Sequence, residues 1–144
     1  MYISGTWFVA ADGLMRPVLW GQIRTGTGGW VAVPFLVDTG ADRTVFSAGV
    51  LGLLHLAPLA TSERLGGLGG IVSSVVVDTQ VRFPQVDGGP VTVRGFYAAV
   101  TVPEALDMSV LGRDITGLFT VIVDQPGQVV CLLGQRHRYR IESF

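Results

Sequence analysis

Apolar residues fall in short runs punctuated by 20 glycines and seven prolines, a rhythm of strands and turns rather than of long helices. The pattern predicts strands over 3–10, 15–25, 30–37, 71–83, 91–101, 120–123, 129–133 and 139–143. Gly26-Thr27-Gly28-Gly29 reads as the turn between the second and third of these, and Pro126-Gly127 as a hairpin tip. Two short helices interrupt the strands. Ser47 is placed to cap one over 48–54, and Asp114 to cap another over 115–119. No linker or low-complexity segment divides the chain, so residues 1–144 are expected to form a single, mainly β domain.

One strand ends in chemistry. In Val33-Pro34-Phe35-Leu36-Val37-Asp38-Thr39-Gly40-Ala41-Asp42-Arg43-Thr44-Val45-Phe46-Ser47 an apolar run meets an acid, a hydroxyl and a glycine, then a second acid and another apolar run. A carboxylate at the end of a buried strand stands where its proton affinity can be tuned. Gly40 permits a tight turn beside it, and Thr39 offers a hydroxyl to fix that turn. Asp-Thr-Gly alone also fits an ordinary strand-to-turn transition. Two further stretches bear on the choice: Leu65-Gly66-Gly67-Leu68-Gly69-Gly70-Ile71 and Val110-Leu111-Gly112-Arg113-Asp114. Together and in this order, the three resemble the active-site signature, the glycine-rich flap and the second signature of the retropepsins, the retroviral-type aspartic proteases.

The resemblance spans residues 33–119 and implies a retropepsin-like acid-protease barrel, mainly β with one or two short helices, that supplies half of a symmetric dimeric active site. It implies an aspartic endopeptidase acting on an extended peptide or protein substrate. The chemistry agrees. Peptide hydrolysis without a metal or covalent nucleophile needs one ionised and one protonated carboxyl group. Asp38 is one; with no second Asp-Thr-Gly or Asp-Ser-Gly in the chain, the other must come from a second copy, hence a homodimer.

By the same resemblance Thr39 is buried at the dimer axis and bonded to the partner's loop, although it could merely bond its own turn. Gly40 and Asp42 face the substrate backbone, and Asp42 pairs internally with Arg113, which supports the active-site loop from inside the protein. Gly66, Gly67 and Leu68 belong to a flap hairpin that closes over the peptide, the Leu68 amide holding a bridging water. Ala41, Val45, Leu68, Met108 and Val110 surround the cleft, with plain core packing an alternative for Val45 and Val110. Arg43 is placed to tune selectivity. No cofactor and no metal are expected, since no His, Cys and Asp cluster has ligand spacing.

Other features read as structural. Val76-Val77-Asp78-Thr79-Gln80 echoes the active-site motif, but Gln80 replaces the glycine of the turn, so Asp78 is expected to face solvent from within a strand. His55 reads as a helix-end or surface residue and Cys131 as a small core residue. Arg136-His137-Arg138-Tyr139-Arg140 alternates as one solvated face of a strand, with nucleic-acid binding the weaker alternative. The glycine-rich loop lacks the Lys-Ser/Thr and following helix of a phosphate loop. The 48–54 helix and the tail from 120 to 144 depart from the viral pattern towards cellular or bacterial relatives.

Composition adds two constraints. A hydrophobic share of 49% with only 15% charged residues, and a mean hydropathy of +0.50, suggest apolar surface covered by another copy or a partner. A net charge of −1 gives no general attraction to nucleic acid or an anionic membrane. No signal-type segment or membrane-length apolar run is present, so a soluble, cytoplasmic chain is expected. Two further functions remain open at this level: a catalytically silent retropepsin-like module for peptide binding or dimerisation, and an unrelated β-barrel binding protein.

Overall fold

A computed structural model of the chain describes residues 1–59, 62–67, 70–134 and 138–143. Strands β1 (Tyr2–Ser4), β2 (Thr6–Val9), β3 (Met15–Arg24), β4 (Trp30–Val37) and β5 (Val45–Phe46) come first. Helix α1 (Ala48–Leu54) leads into the hairpin of β6 (Ser62–Gly67) and β7 (Gly70–Phe83), followed by β8 (Val91–Val100). A short 3-10 turn at Pro103–Ala105 precedes β9 (Ser109–Leu111), α2 (Arg113–Thr116), β10 (Thr120–Asp124) and β11 (Val129–Leu133). The protein is mainly β, with short helices, as the residue pattern predicts. No helix among the described residues is long and apolar enough to cross a membrane.

The larger sheet runs β2-β3-β4-β9-β5-β8-β7-β6, and β3 also pairs with β7 through Gln22↔Arg82 and Ile23↔Val81. That extra pairing closes six strands, β3-β4-β9-β5-β8-β7, into a barrel, with β2 and β6 outside the closure. Alternation along β4 turns Val33, Phe35 and Val37 inward. The Phe35 ring lies 6.2 Å from Phe46 and 6.1 Å from Phe83, and Phe46 lies 5.4 Å from Tyr97, so aromatic contacts fill the interior. Gly21 makes room for them: a Cβ there would stand 2.7 Å from the Phe83 ring. Strands β1, β11 and β10 form a separate three-stranded sheet, whose Ile3, Val130 and Leu132 join the same core.

Most expected elements appear, and three differ. The strand expected over 3–10 is two strands in different sheets, divided at Gly5. There the amide still donates to Val130 O (2.7 Å), while a Cβ would collide with the Val18 carbonyl and Leu19. The strand expected over 139–143 does not form; residues 138–143 are exposed and joined to no ladder, and Ile141 is 95% exposed. β-Branched and aromatic residues favour a strand only where a neighbour pairs with it. The second helix starts at Arg113 with Gly112 as its N-cap, because the Asp114 carboxylate is used elsewhere. By contrast, Ser47 caps α1 as expected, its Oγ accepting from Val50 N, and His55 closes that helix at φ 50°.

Candidate active site

Strand β9 lies between β4 and β5. It pairs parallel with β4 (Leu36↔Val110, Val37↔Leu111) and antiparallel with β5 (Val45↔Val110). The segment 38–44 joining β4 to β5 must therefore cross over the end of β9. Three backbone contacts stitch it there and a fourth, Ala41 to Asp38, closes its own turn. Asp38 N donates to Leu111 O (3.1 Å), Ala41 N to Asp38 O (3.2 Å), Arg113 N to Ala41 O (2.8 Å) and Asp114 N to Asp42 O (3.2 Å). Gly112 lies directly beneath the crossing. A Cβ at this position would run into the Arg43 carbonyl, so only glycine fits.

A half-buried brace completes the crossing. Thr44, fully buried, donates from its Oγ1 to Asp114 Oδ1 (2.7 Å) and accepts from Gly112 N (3.1 Å). Thr44 N also donates to both Asp114 oxygens, at 2.9 and 3.0 Å, and Ile115 N to Oδ1 at 2.9 Å. The Ser47 amide is held by Ser109 Oγ at 3.0 Å. Sequence reasoning gave Asp114 only a capping role and Thr44 none. The available signal was a hydroxyl set in an apolar run, which must find a partner if it is buried. Replacing Thr44 by Val is expected to lower unfolding free energy by about 1–3 kcal/mol, since the Gly112 amide loses its acceptor. Denaturant unfolding measures this, and Thr44→Ser should recover most of the loss.

On this brace stand the residues singled out from the sequence. Asp38 is half-buried at the end of β4, and its Oδ1 accepts from Gly40 N at 2.9 Å, which holds one carboxylate oxygen and fixes the turn. Thr39, Gly40 and Asp42 are exposed, and Ala41 is half-buried. Within a single chain Thr39 thus lies on the surface rather than inside. Val45 and Val110 face each other across the β5–β9 pairing, half-buried and buried respectively, and belong to the sheet. Met108 is half-buried just before β9. Its neighbour Asp107 accepts from Arg16 Nη1 at 2.6 Å, and that hydrogen bond holds the Asp107 carboxyl below its usual range. Gly66 and Gly67 end β6, paired with Ile71 and Gly70 of β7. Leu68, the expected flap amide, lies outside the described residues, as does Gly69.

Arg113 and Asp42 do pair, but the pair is not internal. The side chains are 51% and 84% exposed, because the buried positions here are Leu111 and Gly112 while α2 carries the next residue outward. The guanidinium also donates through Nη1 to the Thr39 carbonyl at 2.8 Å, tying both ends of the Asp-Thr-Gly loop. Loss of an exposed pair removes no buried charge. Arg113→Ala is therefore expected to lower stability by at most about 1 kcal/mol. Its larger effect should fall on whatever depends on the position of Thr39. Thermal melting and an activity assay on the same preparation separate the two.

The readings of Asp78 and Cys131 hold. Asp78 is exposed on β7, 3.6 Å from Arg94. Cys131 is buried, and desolvation pushes its thiol pKa up, the reverse of an activated nucleophile. Among the described residues no three His, Cys, Asp or Glu side chains gather as metal ligands.

Comparison with known proteins gives one family and a shared fold. The sequence profile described as "gag-polyprotein putative aspartyl protease" matches residues 27–117. The EIAV protease complexed with the inhibitor HBY-793 superposes with a TM-score of 0.55 at 22% identity, covering 76% of this chain and 92% of that one. A retropepsin-like aspartic protease from Rickettsia conorii superposes with a TM-score of 0.51 at 17% identity, covering 92% of this chain and 86% of that one. No curated protein matches in sequence.

Proposed function

Because this chain belongs to the gag-polyprotein aspartyl protease family, with a retropepsin-like fold, we propose that it is an aspartic endopeptidase working as a homodimer. The observation that carries the proposal is the setting of Asp38, a half-buried carboxylate on a loop braced from below by β9, Gly112 and the Thr44–Asp114 contacts. Catalytic carboxylates need this fixity, since misplacement of reacting groups by about 1 Å costs orders of magnitude in rate.

Two Asp38 carboxyls, one from each copy, meet on the dimer axis and share a single proton, because close like charges do not both ionise. The ionised member takes a proton from the attacking water while the protonated one polarises the scissile carbonyl. A proton then passes to the leaving amine, and the pair is restored. Thr39, exposed in the single chain, is covered by the partner's loop. Gly40 and Asp42 meet the substrate backbone, Ala41, Val45, Met108 and Val110 line or back the cleft, and the β6–β7 hairpin with Gly66, Gly67 and Leu68 closes over the peptide. An apolar cleft favours apolar side chains flanking the cut. A silent binding module would have no use for the carboxylate and its brace.

Incubation of the purified protein with a diverse peptide library, with new termini read by mass spectrometry, tests this. Cleavage at sites flanked by apolar residues is expected. A library left intact at all protein concentrations and from acid to neutral pH would overturn the assignment.

A further inference from the structure

Three of the ten arginines gather on the outer face of the barrel, at the opposite end of β4 from Asp38. Trp30 on β4 faces Arg24 on β3, and Gln80 on β7 faces Arg94 on β8. The β3–β7 pairing, continued one residue past Ile23↔Val81, sets Arg24 beside Gln80. Directly paired residues lie on the same face of a sheet. Trp30, Arg24, Gln80 and Arg94 therefore form one row across four strands. Arg82, two residues from Gln80 and so on the same face, lays its guanidinium over Trp30, 3.9 Å from the ring centroid; that of Arg24 lies at 5.3 Å. Arg82 Nε is fixed by Gln22 Oε1 at 2.6 Å. Along the row opens a cleft of about 210 Å³, lined by Arg24, Arg94, Thr79, Gln80, Leu56 and Asp78 among others.

Charge and geometry define what fits. Among the described residues the only carboxylate within ion-pair distance of these arginines is Asp78, 3.6 Å from Arg94. Three cations against one anion leave a positive face on a chain whose net charge is −1. Guanidinium groups resting on an aromatic ring keep their N–H edges available for planar, bidentate acceptors such as carboxylates. A nucleic acid suits the face less well. Trp30 is engaged by guanidinium groups and is not free to stack on a base, Asp78 repels a phosphate chain, and the excess charge is small for a polyphosphate ligand.

We infer that this face, with Arg24 and Arg82 over Trp30 and Arg94 at the far end of the row, is an exosite that binds a carboxylate-rich stretch of the polypeptide substrate, remote from the bond being cut. The inference rests on the endopeptidase assignment above and adds a substrate class to it. It also fixes a spacing. The eight residues of β4 separate Trp30 from Asp38 by about 26 Å, at roughly 3.3 Å per residue. An extended substrate needs at least about eight residues to reach from one to the other. The acidic stretch therefore lies that far or farther from the scissile bond.

Binding is tested first, without any need for catalysis. Fluorescence anisotropy on the full chain uses a labelled Glu-rich peptide, the same peptide with Gln for Glu, and a single-stranded oligonucleotide. The Glu-rich peptide is expected to bind, less tightly as salt rises. Arg24→Gln combined with Arg94→Gln should weaken it about tenfold or more, and Arg94→Gln alone by less, with melting temperatures verifying the fold. Equal affinity for the Gln control, affinity unchanged in both variants, or tighter binding of the oligonucleotide would each overturn the exosite.

Kinetics then use a peptide cleaved in the library screen, extended by a Glu-rich segment close to the cut or beyond the predicted spacing. Only the distant segment should lower KM, with kcat unchanged, and the arginine variants should erase that advantage. A protein that binds the Glu-rich peptide but cleaves nothing would refute the peptidase assignment and keep the site. Cleavage without such binding would refute the exosite alone.

Discussion

Asp38→Asn is expected to abolish peptide hydrolysis while leaving fold and assembly in place. Asparagine keeps the Oδ1 that accepts the Gly40 amide, so the turn and its stitching to Leu111 and Arg113 survive. It loses the ability to take a proton from water or to return one to the leaving amine. Positioned acid–base catalysis is worth about 10²–10⁴-fold in rate, and in a homodimer the substitution strikes both members of the pair at once. The variant should show no cleavage above background, with a circular dichroism spectrum, melting temperature and sedimentation profile like those of the unsubstituted protein. Cleavage at a comparable rate would rule out the carboxyl pair.

Dilution should abolish the proposed activity. In the proposed mechanism each chain holds half of the acid pair, so specific activity is expected to climb steeply through the dimer dissociation range and level off above it. Mixing supplies an independent measure. Excess Asp38→Asn chains should draw active chains into dimers with a single carboxylate, and activity should fall as the inactive chains are added. Sedimentation at each concentration ties the activity to the dimer. Full activity from a demonstrated monomer, or indifference to the inactive chains, would refute the shared site. The exposure of Thr39 and of the Arg113–Asp42 pair in the single chain fits an assembly that covers this loop.

Much of this was legible in the residues alone. Strand β4, helix α1 and strand β11 occur where the apolar pattern puts them, because each is bounded by a local signal: a glycine turn, a serine cap or a Pro-Gly tip. The Asp-Thr-Gly loop was legible for the same reason, since an acid and a glycine directly after a buried strand determine a turn with a carboxylate in it. Strands β5 and β9, of two and three residues, were not predicted. Such short segments carry no periodicity, and they form only because β9 lies between partners that already exist.

What the sequence by itself determined is therefore local: the alternation that buries one face of each long strand, the caps and turns, the identity of the catalytic candidate, and the family. Tertiary structure alone decided how distant segments meet. It brought Asp114 to Thr44, pressed Gly112 against the Arg43 carbonyl, and parted β1 from β2 at Gly5. It also placed Arg113 outside rather than inside, drew Arg24 and Arg82 over one tryptophan, and set Arg94 on the same face. The physical reason is the same in each case. Burial, close approach and charge clustering are properties of pairs of residues far apart in the chain, and they acquire an energy only once the barrel has closed.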